Sequence, residues 1–199
     1  MTGSINTNPT LWQYAKTAGY RTVFIDAQAG GITNPGLLQN FMSMTEKADI
    51  DRFHAIRDVA SDQADMRLAA IVAEELKAGG PVFIYANKNG AHFPYDDAYP
   101  ADKARYHPTM TEAGNNSLDS RVASYRNALA WSVDDFMDRL FASAGLANTT
   151  LVYTSDHAQN LDPRGITHCQ VENPDPRMAL VPLLVATDDA ELRAGLEAS

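Results

Sequence analysis

The chain has 199 residues, of which 45% are hydrophobic and 21% are charged, a composition that suits one globular domain with a real core. Sixteen basic and 25 acidic residues give a net charge of −9, which argues against nucleic-acid binding because that function normally needs a basic face. No apolar run approaches the ~18 residues of a membrane span, and one cysteine, Cys169, excludes an internal disulfide.

The first half of the chain alternates predicted helices and strands. Apolar spacing, together with Pro and Gly at segment ends, separates one element from the next. In chain order the pattern predicts a helix over 9–18, a strand over 22–25, a short helix over 36–43, a helix over 62–78 and a buried strand over 81–86.

The second half begins with a long irregular segment, 87–117, of the kind that is usually functional or mobile. It is followed by the longest predicted helix, 117–144, a buried strand over 149–154, a strand over 180–187 and a closing helix over 188–196, N-capped by Thr187 or Asp188. This alternation predicts an α/β protein with a largely parallel sheet covered on both faces.

The most informative motif is Tyr-Thr-Ser-Asp-His at residues 153–157. It ends a predicted strand with Asp156 and His157, a hard oxygen and an imidazole nitrogen that suit a divalent metal. The alternative is that Asp156 forms a turn and His157 is a polar surface group.

Two further histidines lie in loops of the predicted fold. His92 follows the strand over 81–86, and His168 lies 11 residues after His157 (168 − 157). Because ligands collect at the carboxyl ends of strands in α/β sheets, the loops can converge on one cleft. The alternatives are that His92 packs against Phe93 and Tyr95, and that His168 is a solvated loop residue.

These motifs resemble the sulfatase-like phosphoethanolamine transferases of the alkaline-phosphatase-like superfamily. The resemblance rests on Tyr-Thr-Ser-Asp-His with the later His and Val-Pro-Leu-Leu, on the helix, Ala-Gly-Tyr, strand unit within residues 8–26, and on the His92 loop. It implies an alkaline-phosphatase-like three-layer sandwich with a mostly parallel central sheet, N-terminally incomplete. The chain, 1–199, is then expected to be a single portion of a sulfatase-like catalytic domain.

The resemblance also implies a function. Asp156 and His157 would hold a divalent metal, zinc in first place with manganese or calcium as alternatives, and His92 and His168 would lie at the substrate side as catalytic residues. The implied activity is phosphoryl- or sulfuryl-ester transfer or hydrolysis, most like a lipid A phosphoethanolamine transferase. The implied partners are a phospholipid headgroup donor with a lipid or glycan acceptor, or a small sulfate or phosphate ester.

The family pattern is not complete in this sequence. Thr2, Ser4 and Thr7 precede the first helix but match no nucleophile motif of the family, so the nucleophile is expected upstream and this chain alone is expected to be inactive. Ala158 stands where the family has Gly, and an Ala there would be strained at positive φ. The parent is expected to be an inner-membrane protein with a periplasmic domain, this chain itself being soluble.

Other interpretations stay open at this stage. The chain can be a sulfatase or phosphodiesterase of the same superfamily, a vestigial metal-binding domain, or a non-catalytic interaction module. A homodimer that covers an exposed sheet edge is a further hypothesis. Asp26 can line the cleft or form a turn. His54 and His107 match no motif and are interpreted as surface residues. Trp12 and Trp131 are expected to pack in the core or against helices.

Overall fold

The structure is a computed structural model, and it describes residues 8–28, 44–145, 147–167 and 175–198. Its helices are α1 (Leu11–Thr17), α2 (Met44–Ala48), α3 (Ser61–Lys77), α4 (Met110–Ala113), α5 (Leu118–Leu129), α6 (Phe136–Ala144) and α7 (Ala190–Glu197). Its strands are β1 (Arg21–Asp26), β2 (Arg52–Ala55), β3 (Val82–Asn87), β4 (Thr150–Thr154) and β5 (Leu183–Thr187). The helix predicted over 36–43 lies outside the described residues.

Three strands form a parallel sheet in the order β2-β1-β3. β1 is apolar and is buried from Thr22 to its end, because it has a neighbour on each side. β3 is an edge of the described sheet, and Tyr85 is exposed on it. The strand predicted over 81–86 is therefore present, but the prediction that it is buried is wrong.

The other two strands, β4 and β5, form a separate antiparallel pair in which Thr150 lies opposite Thr187 and Thr154 opposite Leu183. Residues of β4 alternate between exposed and half-buried, and Val152 points to solvent. The expectation of a buried strand over 149–154 is wrong, because apolar β-branched content does not distinguish a strand covered on both faces from one covered on a single face.

The core lies between the parallel sheet and the long helices. α3 supplies Leu68, and the helix formed by α5 and α6 supplies Trp131, Phe136 and Leu140. The helix predicted over 117–144 is confirmed, with a π-helical turn at Ala130–Asp135 between α5 and α6. Such turns re-aim backbone carbonyls and side chains within a helix.

Two details differ from the sequence-based expectations. The segment over 87–117 is not wholly irregular, because it contains α4 and 3₁₀ turns at Tyr95–Ala98 and Ala101–Lys103. α7 is capped by Asp189, whose side chain accepts from the backbone N–H groups of Glu191 and Leu192. Among the described helices, none combines the length and apolar character needed to span a bilayer.

Candidate metal and substrate loops

Asp156 and His157 lie in the loop that follows β4. Nε2 of His157 is 3.6 Å from Oδ2 of Asp156, and the two side chains are 26% and 81% exposed. Nδ1 of His157 is 3.0 Å from the carbonyl oxygen of Ala158, which can only accept a hydrogen bond. This contact places the proton of a neutral imidazole on Nδ1 and leaves the Nε2 lone pair on the Asp156 side, the arrangement that metal-bound histidines use.

The donor chemistry of this pair fits a divalent metal, with one imidazole nitrogen and one carboxylate. Structural and catalytic zinc sites use three or four protein ligands. In the described parts of the chain, no group of three or more His, Cys, Asp or Glu residues is arranged to hold a metal ion. The pair therefore supplies two of the three or four protein ligands that a zinc site uses.

Ala158 adopts no strained backbone conformation. Of the described non-glycine residues, Asn148 is the one with a positive φ. The backbone N–H of Ala158 donates to the carbonyl of Met178 at 2.8 Å, which ties the loop after β4 to the segment before β5. Because φ of Ala158 is not positive, the strain that a positive φ would cause is absent.

The loop that carries His92 follows β3. The His92 side chain is exposed, and its Nδ1 lies 2.6 Å from the carbonyl oxygen of Phe93. Further along the loop, the buried hydroxyl of Tyr95 donates to Oε1 of Gln159 at 3.1 Å. Burial raises the pKa of Tyr95 to about 12, so this hydroxyl remains a donor at neutral pH. The bond joins the His92 loop to the loop of Asp156 and His157.

Arg121 of α5 also joins the two loops. Its buried guanidinium donates to the carbonyl of Asp162 at 2.9 Å and to Oδ1 of Asn116 at 2.8 Å. It also lies 5.6 Å from the ring centroid of Phe93, within reach of a cation–π interaction. Arg121 was not predicted from the sequence, where it stands beside small residues of the helix predicted over 117–144.

Asp65 of α3 holds the start of the His92 loop. Its carboxylate accepts from the backbone N–H groups of Asn89 at 2.7 Å and Gly90 at 3.0 Å, and pairs with Lys88. Burial lowers the pKa of Lys88, and the charge of Asp65 opposes that effect. Neither Lys88 nor Asp65 was predicted from the sequence, although Lys88 directly follows β3.

The remaining candidates have other positions. Asp26 is buried and serves as a turn residue, since Oδ1 accepts from the N–H of Gln28 and from Nδ2 of Asn87, while Oδ2 has no hydrogen-bond partner in the described ranges. His107 is half-exposed beside Glu112, as expected of a surface residue. His168 and Cys169 lie outside the described residues.

The prediction that His54 is a plain surface residue is wrong. Its Nε2 is 2.7 Å from the carboxylate of Glu75, which is 3% exposed and also accepts from Arg21 and Arg52. Burial alone would raise the pKa of Glu75, but the hydrogen bonds from His54, Arg21 and Arg52 outweigh it and lower the pKa to about 2. This cluster joins α3 to β1 and β2 and is structural.

Comparison with known proteins gives a family and a fold. A model of the sulfatase family matches residues 2–196. No curated protein matches the chain. The C-terminal periplasmic domain of EcEptC from Escherichia coli, in complex with Zn, is 21% identical with a TM-score of 0.66, over 96% of this chain and 55% of that one.

Two other solved structures are similar. The soluble domain of lipooligosaccharide phosphoethanolamine transferase A from Neisseria meningitidis is 15% identical with a TM-score of 0.64, over 92% of this chain and 55% of that one. A protein in the alkaline phosphatase superfamily from Vibrio parahaemolyticus is 20% identical with a TM-score of 0.55, over 91% of this chain and 41% of that one. The expected family resemblance and α/β alkaline-phosphatase-like fold are confirmed, and the chain spans about half the length of these structures.

Proposed function

Because the chain belongs to the sulfatase family, we propose that it is a portion, 1–199, of a single metal-dependent catalytic domain that transfers or hydrolyses phosphoryl or sulfuryl esters. One similar solved structure is a lipooligosaccharide phosphoethanolamine transferase, and another is a complex with Zn. They support phosphoethanolamine transfer as the activity of the whole protein and zinc as its metal, and lipid A is the acceptor that the sequence resemblance implies.

The observation that carries the proposal is the convergence of two loops. The Tyr95 hydroxyl bonds to Gln159, and Arg121 contacts both Phe93 and Asp162. The loop of His92 and the loop of Asp156 and His157 are thus fastened to each other by buried groups, as a shared site requires.

The proposed roles follow from the side chains. Asp156 and His157 hold the metal, with the Ala158 carbonyl orienting the imidazole through Nδ1. A bound divalent metal polarises the ester oxygen and lowers the pKa of a coordinated nucleophile. His92 and His168 act at the substrate side, donating hydrogen bonds to the transferred group or a proton to the leaving oxygen.

The proposed partners are a phospholipid headgroup donor and a lipid or glycan acceptor. The name of the Neisseria meningitidis structure, a lipooligosaccharide phosphoethanolamine transferase, supports a lipid or glycan acceptor, and a small sulfate or phosphate ester is the alternative. The Escherichia coli structure is a periplasmic domain, which supports a periplasmic location.

The test is metal binding by the purified chain, measured by metal analysis and calorimetry with zinc. We expect zinc binding that is abolished in Asp156→Ala and in His157→Ala and is retained in His107→Ala, a matched loss of one partly exposed imidazole elsewhere. Equal zinc content in all four proteins, or no zinc in any, contradicts the assignment.

A second candidate is a non-catalytic metal-binding domain. Such a domain would hold a metal through Asp156 and His157 without turning over an ester. Under either candidate we expect no hydrolysis of phosphate or sulfate esters above background by this chain alone, so an absence of turnover does not separate them. Robust turnover that is lost in His157→Ala would overturn that expectation and exclude the non-catalytic candidate.

A further inference from the structure

The sequence Asp-Pro-Arg occurs twice, at 162–164 and at 175–177, and both copies fold in the same way. In each copy, Oδ1 of the aspartate accepts from the backbone N–H of the arginine at 2.9 Å, which closes an Asx turn. In each copy the guanidinium then folds back on the aspartate, with closest ion-pair distances of 2.9 Å for Arg164 and 2.6 Å for Arg177.

Both turns line one cavity of about 590 Å³, between the segment after β4 and the segment before β5. Leu118, Leu161 and Met178 form apolar parts of its wall, and Gln159 and Asn160 add amide groups. The cavity therefore combines two guanidinium groups with apolar surface.

The two arginines keep donors for a ligand. Their bonds to the aspartates use Nε and Nη2, so within the described part of the chain Nη1 of each remains for another acceptor. The guanidinium groups are strongly exposed, at 89% for Arg164 and 83% for Arg177. Exposed ion pairs of this kind are weak, so an anion can compete with the carboxylate for the arginine fork.

We propose that the two Asp-Pro-Arg turns form a site for an anion with at least two negative charges, a phosphate monoester or a diphosphate, whose organic part lies against Leu118, Leu161 and Met178. Arginine is suited to this role because its planar fork matches phosphate oxygens in pairs. Neither Asp156 nor His157 lines the cavity, so the site goes beyond the proposed metal chemistry and needs no metal.

The aspartates set the affinity of this site. The hydrogen bonds from Arg164 lower the pKa of Asp162 to about 2, and those from Arg177 lower the pKa of Asp175. Both carboxylates are therefore ionised at neutral pH and oppose a second anion. The net charge of −9 also disfavours anions, so binding depends on the directed guanidinium donors.

The experiment is calorimetric titration of the whole chain with inorganic pyrophosphate, in buffer with a chelator so that no metal takes part. We expect one saturable site that is weakened about tenfold in Arg164→Gln and in Arg177→Gln, since each removes a charge-assisted pair of hydrogen bonds. Arg67→Gln is the matched control, because Arg67 is an exposed arginine paired with Glu74 outside this cavity.

A second pair of variants separates a binding site from a structural motif. Asp162→Asn and Asp175→Asn keep an amide oxygen that closes the turn but remove the opposing charge. We expect both to bind pyrophosphate more tightly than the unmodified chain, with unchanged circular dichroism. The proposal is overturned if pyrophosphate does not bind at millimolar concentration, if both glutamine variants bind as Arg67→Gln does, or if the asparagine variants bind more weakly.

Discussion

Nζ of Lys88 lies 3.1 Å from Oδ2 of Asp65, and the two side chains are 13% and 5% exposed. The same ammonium donates to the carbonyl of Ser132 at 2.6 Å and lies 3.2 Å from the ring centroid of Phe136. Ser132 belongs to the π-helical turn, so Lys88 bonds to the irregular part of the long helix. The ion pair therefore fastens the start of the His92 loop to two helices.

Replacing Lys88 by Met should destabilise the protein strongly. The change leaves the buried carboxylate of Asp65 without its cation, which costs about 3–5 kcal/mol. Urea unfolding at neutral pH measures the loss. Lys77→Met is the control, because Lys77 is exposed at the end of α3 and its loss should change stability by less than about 0.5 kcal/mol. Equal midpoints for the two variants would contradict this account.

Glu75 should make the free energy of unfolding depend on pH in the acid range. Its pKa in the folded protein is lowered from 4.5 to about 2, so its stabilising contribution is complete above pH 4.5 and is lost as the pH falls towards 2. Glu75→Gln should destabilise by about 3 kcal/mol at pH 7. The difference from the unmodified chain should shrink between pH 4.5 and pH 2.

Unfolding at a series of pH values tests this prediction. Glu74→Gln is the neighbouring control, because Glu74 is exposed and, among the described residues, its ion pair is with Arg67 at 3.5 Å. A stability difference for Glu75→Gln that stays constant down to pH 2 would mean that the carboxylate charge is not what stabilises this cluster.

Tyr95→Phe should loosen the two candidate loops from each other. The change removes the donor to Gln159 and leaves the amide oxygen without that bond, at about 1 kcal/mol. Hydrogen exchange should become faster over residues 155–161 while the parallel sheet is unaffected. Tyr14→Phe, at an exposed position on α1, should change neither. Unchanged exchange after Tyr95→Phe would argue against this bond as the link.

Asp189→Ala should fray the start of α7. The Asp189 carboxylate accepts from the N–H groups of Glu191 and Leu192, and the loss of such a cap costs about 1 kcal/mol. Asp189→Asn keeps a capping oxygen and should retain most of the stability. Amide exchange in residues 190–193 distinguishes the two variants, and equal rates in both would count against Asp189 as the cap.

Local chemistry determined much of this protein before any tertiary contact is considered. The helical spacing and Gly79 predict α3 and its end, and the apolar run at β1 predicts a strand. These features depend on near neighbours in the chain, which sequence patterns record directly. Asp156 and His157 are adjacent in the chain, so the sequence alone was enough to predict them as candidate metal ligands.

Only the tertiary structure decided which surfaces are covered and which loops meet. β4 has the composition of a buried strand but lies in an antiparallel pair with one face exposed. His54 is paired with Glu75, 21 residues away in the chain, and Tyr95 with Gln159, 64 residues away. Burial and pairing at such separations depend on how distant elements pack, and a local sequence pattern carries no information about a partner that it does not contain.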